Sequence, residues 1–423
     1  MRCLAGVLVA IAATASAQLA TRDWPQFGKS PSFQSYSTAG PSASPSHSEW
    51  TFNAGDRVVA SPAVVGDMVY AGSDNGNIFA LNATSGALLW AYATGGPVRS
   101  SPAVLADGSV IAGSYDGAVY HVSATGALLG KVQTGMSVYA PVSVANGTAY
   151  VGSMDKHLYA ITIDGFSTKW SAQATNVVNS GTAVSADGST VYFMDYSGIV
   201  HAASAADGSI AWTASTGPNG AGGSSPVLDN RGTLFIGSWS EHAFAFNATT
   251  GAQIWSFDTQ GEVESHGAWV DGTVYFSAEE SRTLFAINAR TAQPLWQWSG
   301  SSQELNGSPT LTPTLVFVGS NDHSMHCLRR SDGKHLFAVQ AAANVFASAA
   351  VADDGWVFFA DNTATLDDIR AQNSDMMVAA ERCAGDADCA LAGARAVWSR
   401  SLDAERGSGR LGNVYAINPS LHL

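Results

Sequence analysis

One pattern returns about every forty residues along nearly the whole chain, and it limits the fold more than any other feature. Its clearest copy runs Ser61-Pro62-Ala63-Val64, a turn, Met68-Val69-Tyr70-Ala71-Gly72-Ser73, then Asp74-Asn75-Gly76. It continues Ile78-Phe79-Ala80-Leu81-Asn82-Ala83-Thr84-Ser85-Gly86 and ends at Trp90. Aligning the copies where the second apolar run ends gives Gly72, Gly113, Gly152, Phe193, Gly237, Ser277, Gly319 and Ala360, spaced by 41, 39, 41, 44, 40, 42 and 41 residues. Each copy reads as four short strands. The first two are joined by Asp107-Gly108, Asn146-Gly147, Asp187-Gly188, Asp271-Gly272 or Asp354-Gly355, pairs that accept the positive φ of a tight hairpin. Eight such copies predict an all-β protein, an eight-bladed β-propeller of four-stranded antiparallel blades.

The two ends of the pattern are incomplete in complementary ways. Val414-Tyr415-Ala416-Ile417-Asn418 reads as a third strand with no fourth after it, and Glu49-Trp50-Thr51-Phe52 as a fourth strand with nothing before it. The N-terminal strand is therefore expected to complete the last blade, pairing strand edges that would otherwise be exposed.

Ahead of the repeats lie Arg2, an apolar run from Leu4 to Ala13, and Ala15-Ser16-Ala17, the pattern of a secretory signal peptide cleaved after Ala17. The expected domains are a signal peptide (1–17), a lead-in segment (18–48) and the propeller (49–423). The expected location is secreted or extracellular, or periplasmic in a bacterium. No later stretch has the roughly 20 apolar residues that cross a bilayer. A net charge of −14 without a basic cluster argues against nucleic acid as partner.

The segment Ala80 to Trp90 resembles the repeat of the pyrroloquinoline-quinone (PQQ)-like propellers, written A-x-D-x-x-T-G-x-x-x-W. Ala202 to Trp212, Ala245 to Trp255, Ala286 to Trp296 and Cys327 to Phe337 match with small changes, and Asp23-Trp24-Pro25-Gln26-Phe27-Gly28 resembles the family's lead-in. Two copies depart: Gly130 stands where tryptophan is usual, and Phe166 where glycine is usual. The resemblance covers nearly the full mature chain and implies fold, not chemistry. Quinoprotein alcohol dehydrogenases of this family carry an adjacent cysteine pair, and this chain has none. The expectation is a non-enzymatic binding or assembly scaffold with no cofactor and no metal site, a monomer taking a protein or glycan partner. The alternative is a quinoprotein-type oxidoreductase using PQQ and calcium in the axial funnel.

Most conspicuous side chains have a structural reading. Trp90, Trp170, Trp212, Trp255 and Trp296 share one repeat position and are expected to pack between blades. His201 and His326 take the place of Phe79, and Cys327 that of Ala80, so all three read as core. Asp116, Asp155, Asp195 and Glu279 recur near one turn. Sequons at Asn82, Asn146 and Asn247 are candidate glycosylation sites, and a fourth at Asn306 is weakened by Pro309. Between Asn362 and Leu411 the pattern breaks into a segment with fourteen charged residues. There, Thr365 to Arg382 reads as a helix and Cys383 and Cys389 as a disulfide. The insertion falls on the face that carries the blade-to-blade crossings. Arg99, Tyr139, Asn179, Glu264, His266 and Phe346, just before inner strands, and Trp239, in a loop, are the candidate ligand-binding residues of that face.

Overall fold

A computed structural model describes residues 24–38, 50–217, 222–362 and 412–417. The signal peptide, the helix expected at 365–382 and the Cys383–Cys389 bridge lie outside these residues. Eight antiparallel four-stranded sheets make up the described chain, which contains no helix. The first blade holds strands Ala63–Val65, Met68–Gly72, Asn77–Asn82 and Leu88–Ala93, ordered from the axis outwards. Its second and third strands are buried almost throughout because neighbouring blades cover both faces. The outermost strand alternates exposed and half-buried. Gly72 marks the closest approach between blades: a Cβ there would collide with Val98, which precedes the next inner strand.

Closure follows the expected plan. Trp50–Asn53 is the outermost strand of the eighth blade and pairs antiparallel with Asn413–Ile417, setting Trp50 opposite Ala416 and Thr51 opposite Tyr415. Asn413–Ile417 in turn pairs with Val357–Ala360, whose inner neighbour is Ala350–Val351. One detail of the sequence alignment needs correction. In the fourth blade Met194, not Phe193, ends the second strand, since Met194 pairs with Val200 as Gly72 pairs with Ile78.

The repeated tryptophans tie six of the eight blades to the next. Trp90 Nε1 donates to Ala124 O at 2.9 Å, Trp170 to Ala205 O at 3.1 Å, Trp212 to Ala248 O at 3.1 Å, Trp255 to Ala289 O at 2.9 Å and Trp296 to Arg330 O at 3.0 Å. Trp50 does the same across the closure, donating to Ala83 O at 2.7 Å. Each ring that meets a glycine turn lies flat on it: a Cβ at Gly126 would come within about 3.0 Å of Trp90. The two departures noted in the sequence are one reciprocal exchange. Gly130 leaves the tryptophan place of the second blade empty, and Phe166, from the turn of the third blade, fills it. A Cβ at Gly130 would fall 2.7 Å from Phe166 Cβ, and the Phe166 ring is buried against His121 at 5.0 Å.

Residues 24–38 form a belt along the inner strands. Trp24 and Val64 exchange backbone hydrogen bonds at 2.9 Å. The N–H groups of Val104, Val184, Leu228, Trp269 and Leu311 then donate to the carbonyls of Pro25, Pro31, Ser32, Gln34 and Ser35 at 2.8–3.0 Å. Val144 N–H donates to Gln26 Oε1 at 2.9 Å. Seven inner strands thus find acceptors in ring order, which satisfies the polar edges that the strands turn towards the axis.

Candidate functional site

The eight repeats place one residue each at the mouth of the axial channel, just before the inner strand: Val59, Arg99, Tyr139, Asn179, Gly223, Glu264, Asn306 and Phe346. All of them line a cavity of about 480 Å³. A second tier comes from loops between the second and third strands, among them Tyr115, Met154, Tyr196, Trp239 and Asn362. All seven residues singled out in the sequence for this face line the same cavity. The belt adds Phe27, so the chain's own N-terminal segment bounds one side of the space.

The wall is electrically divided. On one side Asp74 is held by two cations: Arg99 donates from Nε at 2.7 Å and Nη2 at 2.8 Å, and Arg57 Nε lies at 2.7 Å. The Arg99 guanidinium also lies 5.0 Å from the centre of the Tyr115 ring. Tyr115 in turn meets Tyr139 edge-to-face at 6.2 Å. Across the axis, in the sixth blade, stand Glu264 and Glu279. Burial raises the carboxyl of Glu264. Burial, and then the charges of Glu264, Glu280 and Glu262, push Glu279 up to about 8. Glu279 therefore differs from the aspartates read beside it in the sequence. Asp116, Asp155 and Asp195 accept backbone N–H bonds from Gly95 (2.9 Å), Gly135 (2.7 Å) and Thr175 (3.0 Å) of the preceding blade and are turn caps.

His266 is buried and sandwiched by the belt, with Phe27 at 4.2 Å, Phe33 at 6.0 Å and Ser35 Oγ at 2.5 Å from Nε2. Burial drives its pKa down to about 3, so the ring is neutral. Tyr196 and Trp239 meet edge-to-face at 5.3 Å.

Other marked residues fall elsewhere. His201 is buried, stacked on Phe193 at 4.7 Å, and its Nε2 lies 2.9 Å from Asp195 Oδ2. Cys327 is a buried free thiol. The sequon residues Asn82 and Asn247 use Oδ1 to accept from Thr84 N–H (3.1 Å) and Thr249 N–H (3.0 Å) in exposed turns. Asn146 sits in a hairpin at φ 47°, and Asn306 in the funnel wall. Sequence reading missed Arg57, Tyr115, Tyr196 and Asn306 as funnel residues, although repeat register alone locates each of them.

An eight-bladed ring of PQQ-like repeats with one diverged residue per blade around a blind-sided funnel defines the class of protein. The family described as outer membrane protein assembly factor BamB matches residues 45–129, 95–241, 196–366 and 240–420, and the chain belongs to that family. Among relatives, the outer membrane protein assembly factor BamB of Burkholderia pseudomallei is 24% identical over 320 residues, 71% of this chain and 82% of that protein. The crystal structure of BamB from Moraxella catarrhalis superposes with a TM-score of 0.60 at 19% identity, covering 73% of this chain and 97% of that one. The quinohemoprotein alcohol dehydrogenase of Comamonas testosteroni gives 0.72 at 14% identity, with 95% and 81% covered. At these identities the structural likeness concerns fold.

The funnel does not suit a quinone cofactor. PQQ is a tricarboxylate, yet the two arginines of the lining are already engaged with Asp74, and the opposite wall presents Glu264. Among the described residues no three His, Cys, Asp or Glu side chains cluster to hold a metal ion.

Proposed function

We propose that the protein is an exported, non-catalytic assembly scaffold whose funnel face receives a protein partner. The observation that carries this reading is the match of an assembly-factor family along the whole repeat array. The funnel fits the role. Eight rigid blades hold aromatic and charged side chains in one ring, and an ordered surface of this kind binds without spending ordering entropy. The aromatic and arginine content of the rim is the composition from which interface hot spots are drawn. A protein is favoured over a glycan because charge is segregated across the funnel, which steers and registers a charged polypeptide surface. The ring closes within one chain, Trp50–Asn53 pairing with Asn413–Ile417, and the scaffold is read as a monomer. Export rests on the N-terminal pattern, and attached glycans at Asn82, Asn146 and Asn247 would leave the funnel free. Residues 363–411, outside the described residues, are proposed from sequence to add to that face.

The test is photo-crosslinking in the native compartment from a benzophenone side chain at Phe346, with Ile254 on the outer rim as control. A discrete protein adduct from Phe346 and none from Ile254 is expected. Equal adducts from both positions would defeat the reading, as would turnover of an alcohol after addition of PQQ and calcium.

A further inference from the structure

Resting on that reading of the funnel, we propose that the wall of blades three to six binds an organic cation. This is the ammonium or guanidinium group of a basic side chain on the partner polypeptide, held by Glu264 and Glu279 beside Tyr139, Tyr196 and Trp239. The repeat symmetry carries the argument. Asp74 and Glu279 occupy the same place in their blades: the backbone N–H of Asp74 donates to Arg57 O and that of Glu279 to Glu262 O, both at 2.9 Å. Around Asp74 the chain supplies both counter-ions, Arg57 from one side and Arg99, the mouth residue of the following blade, from the other. Around Glu279 the corresponding residues are Glu262 and Asn306. Neither is a cation, and the carboxylate position that blade one neutralises internally is left for a ligand to neutralise.

Three further observations fit the same group. Glu279 Oε1, Asn179 Oδ1 and Asn306 Oδ1 are shielded from solvent, and no donor among the described residues reaches them. An ammonium brings three N–H donors and a guanidinium five. Burial raises the carboxyl of Glu264, and burial together with the charges of Glu264, Glu280 and Glu262 raises that of Glu279. Both shifts disfavour the charged carboxylate in the empty site, and a cation placed beside the pair would offset them. The wall is also aromatic. Tyr196 and Trp239 meet at 5.3 Å, and burial, then the charge of Glu264, raises the phenols of Tyr139 and Tyr196, which places both tyrosines within its field. Opposite, the chain already combines cation, carboxylate and ring in Arg99, Asp74 and Tyr115. Desolvated cations beside aromatic faces are held more tightly than in water.

The probes are Nα-acetyl-lysine methylamide and its arginine counterpart, titrated calorimetrically into the full chain, with the norleucine compound as neutral isostere and calcium chloride alone as a metal control. The basic probes are expected to bind, and Glu264→Gln with Glu279→Gln to weaken them at least tenfold. Asn306→Arg, which supplies the absent cation from within, is expected to abolish binding in a folded protein. It keeps the test decisive should the double variant not fold. Norleucine binding as tightly as lysine, or lysine binding unchanged in Asn306→Arg, would overturn the proposal. So would calcium binding at the pair and displacing the probes. Crosslinking from Phe346 that persists in the double variant, with no probe binding to the native chain, would remove the cation site and leave the scaffold reading intact. Probe binding without any crosslinked partner would do the reverse.

Discussion

Exchanging Gly130 and Phe166 back to the arrangement of the other blades tests whether inter-blade packing is modular. Phe166 is 8% exposed and fills the space that a tryptophan occupies elsewhere. Phe166→Gly removes a buried aromatic, a loss of about 3–5 kcal/mol for a large-to-small change. Phe166 also sits at φ 37°, and glycine relieves about 1 kcal/mol of left-handed strain, so a net cost near 3 kcal/mol is expected. Gly130→Trp alone drives its Cβ into Phe166, 2.7 Å away, and overpacking adds roughly 1–3 kcal/mol of its own. Together the two changes recreate the contact of Trp90 on Gly126, with the indole N–H facing Ile163 O as Trp90 faces Ala124 O. The double variant should then lie within about 1 kcal/mol of the native protein, giving a coupling energy of at least ~3 kcal/mol. Equilibrium unfolding in urea, with one m-value shared by all four proteins, measures it. Additive losses in the double variant would refute the idea that these residues are one exchanged contact.

Phe33→Ala removes a fully buried ring that holds the belt against His266, and a loss of about 3 kcal/mol in urea unfolding is expected. Trp296→Phe keeps most of the packing on Gly333 but deletes the donor to Arg330 O, costing about 1 kcal/mol by the same assay. Glu279, pushed up to about 8, binds its proton more tightly folded than unfolded. Its contribution is intact below the unfolded value near 4.3 and is lost as pH rises through about 8. Melting temperatures measured from pH 5 to 9 should therefore fall less steeply in Glu279→Gln than in the native chain. A slope left unchanged would mean that Glu279 does not carry the proton.

The ring, its blade count and its closure were legible in the sequence because they rest on features that every copy repeats. A two-residue turn such as Asp271-Gly272, where both residues adopt positive φ, announces a hairpin whatever surrounds it. Trp50 and Tyr415 announced a shared blade by being the missing pieces of one copy. The belt was not legible. Residues 24–38 have no period, and their order comes from the carbonyls they offer to Val104, Val184, Leu228, Trp269 and Leu311, partners known only once the ring is closed. Gly130 and Phe166 were each visible as departures, but a reciprocal exchange between blades requires knowing which outer strand lies over which turn.

The funnel falls between these cases for a physical reason. Positions that face a neighbouring blade must satisfy packing, so Gly72 cannot change without displacing Val98, and five of the eight copies keep glycine there. Positions that face the axis meet solvent, and packing leaves them free to become Arg99, Tyr139, Glu264 or Phe346. Divergence at a fixed register thus marks the positions that packing leaves free, and Arg99, Tyr139, Asn179, Glu264 and Phe346, read that way, line one cavity together with Trp239 and His266. What register could not reveal is the pairing of charges, since Asp74 and Glu279 look equivalent until their neighbours are compared across blades. Asp74 is closed by Arg57 and Arg99, whereas Glu279 faces Glu262 and Asn306. The asymmetry of the funnel, and with it the direction in which a charged partner would seat, arises from two substitutions at otherwise interchangeable places.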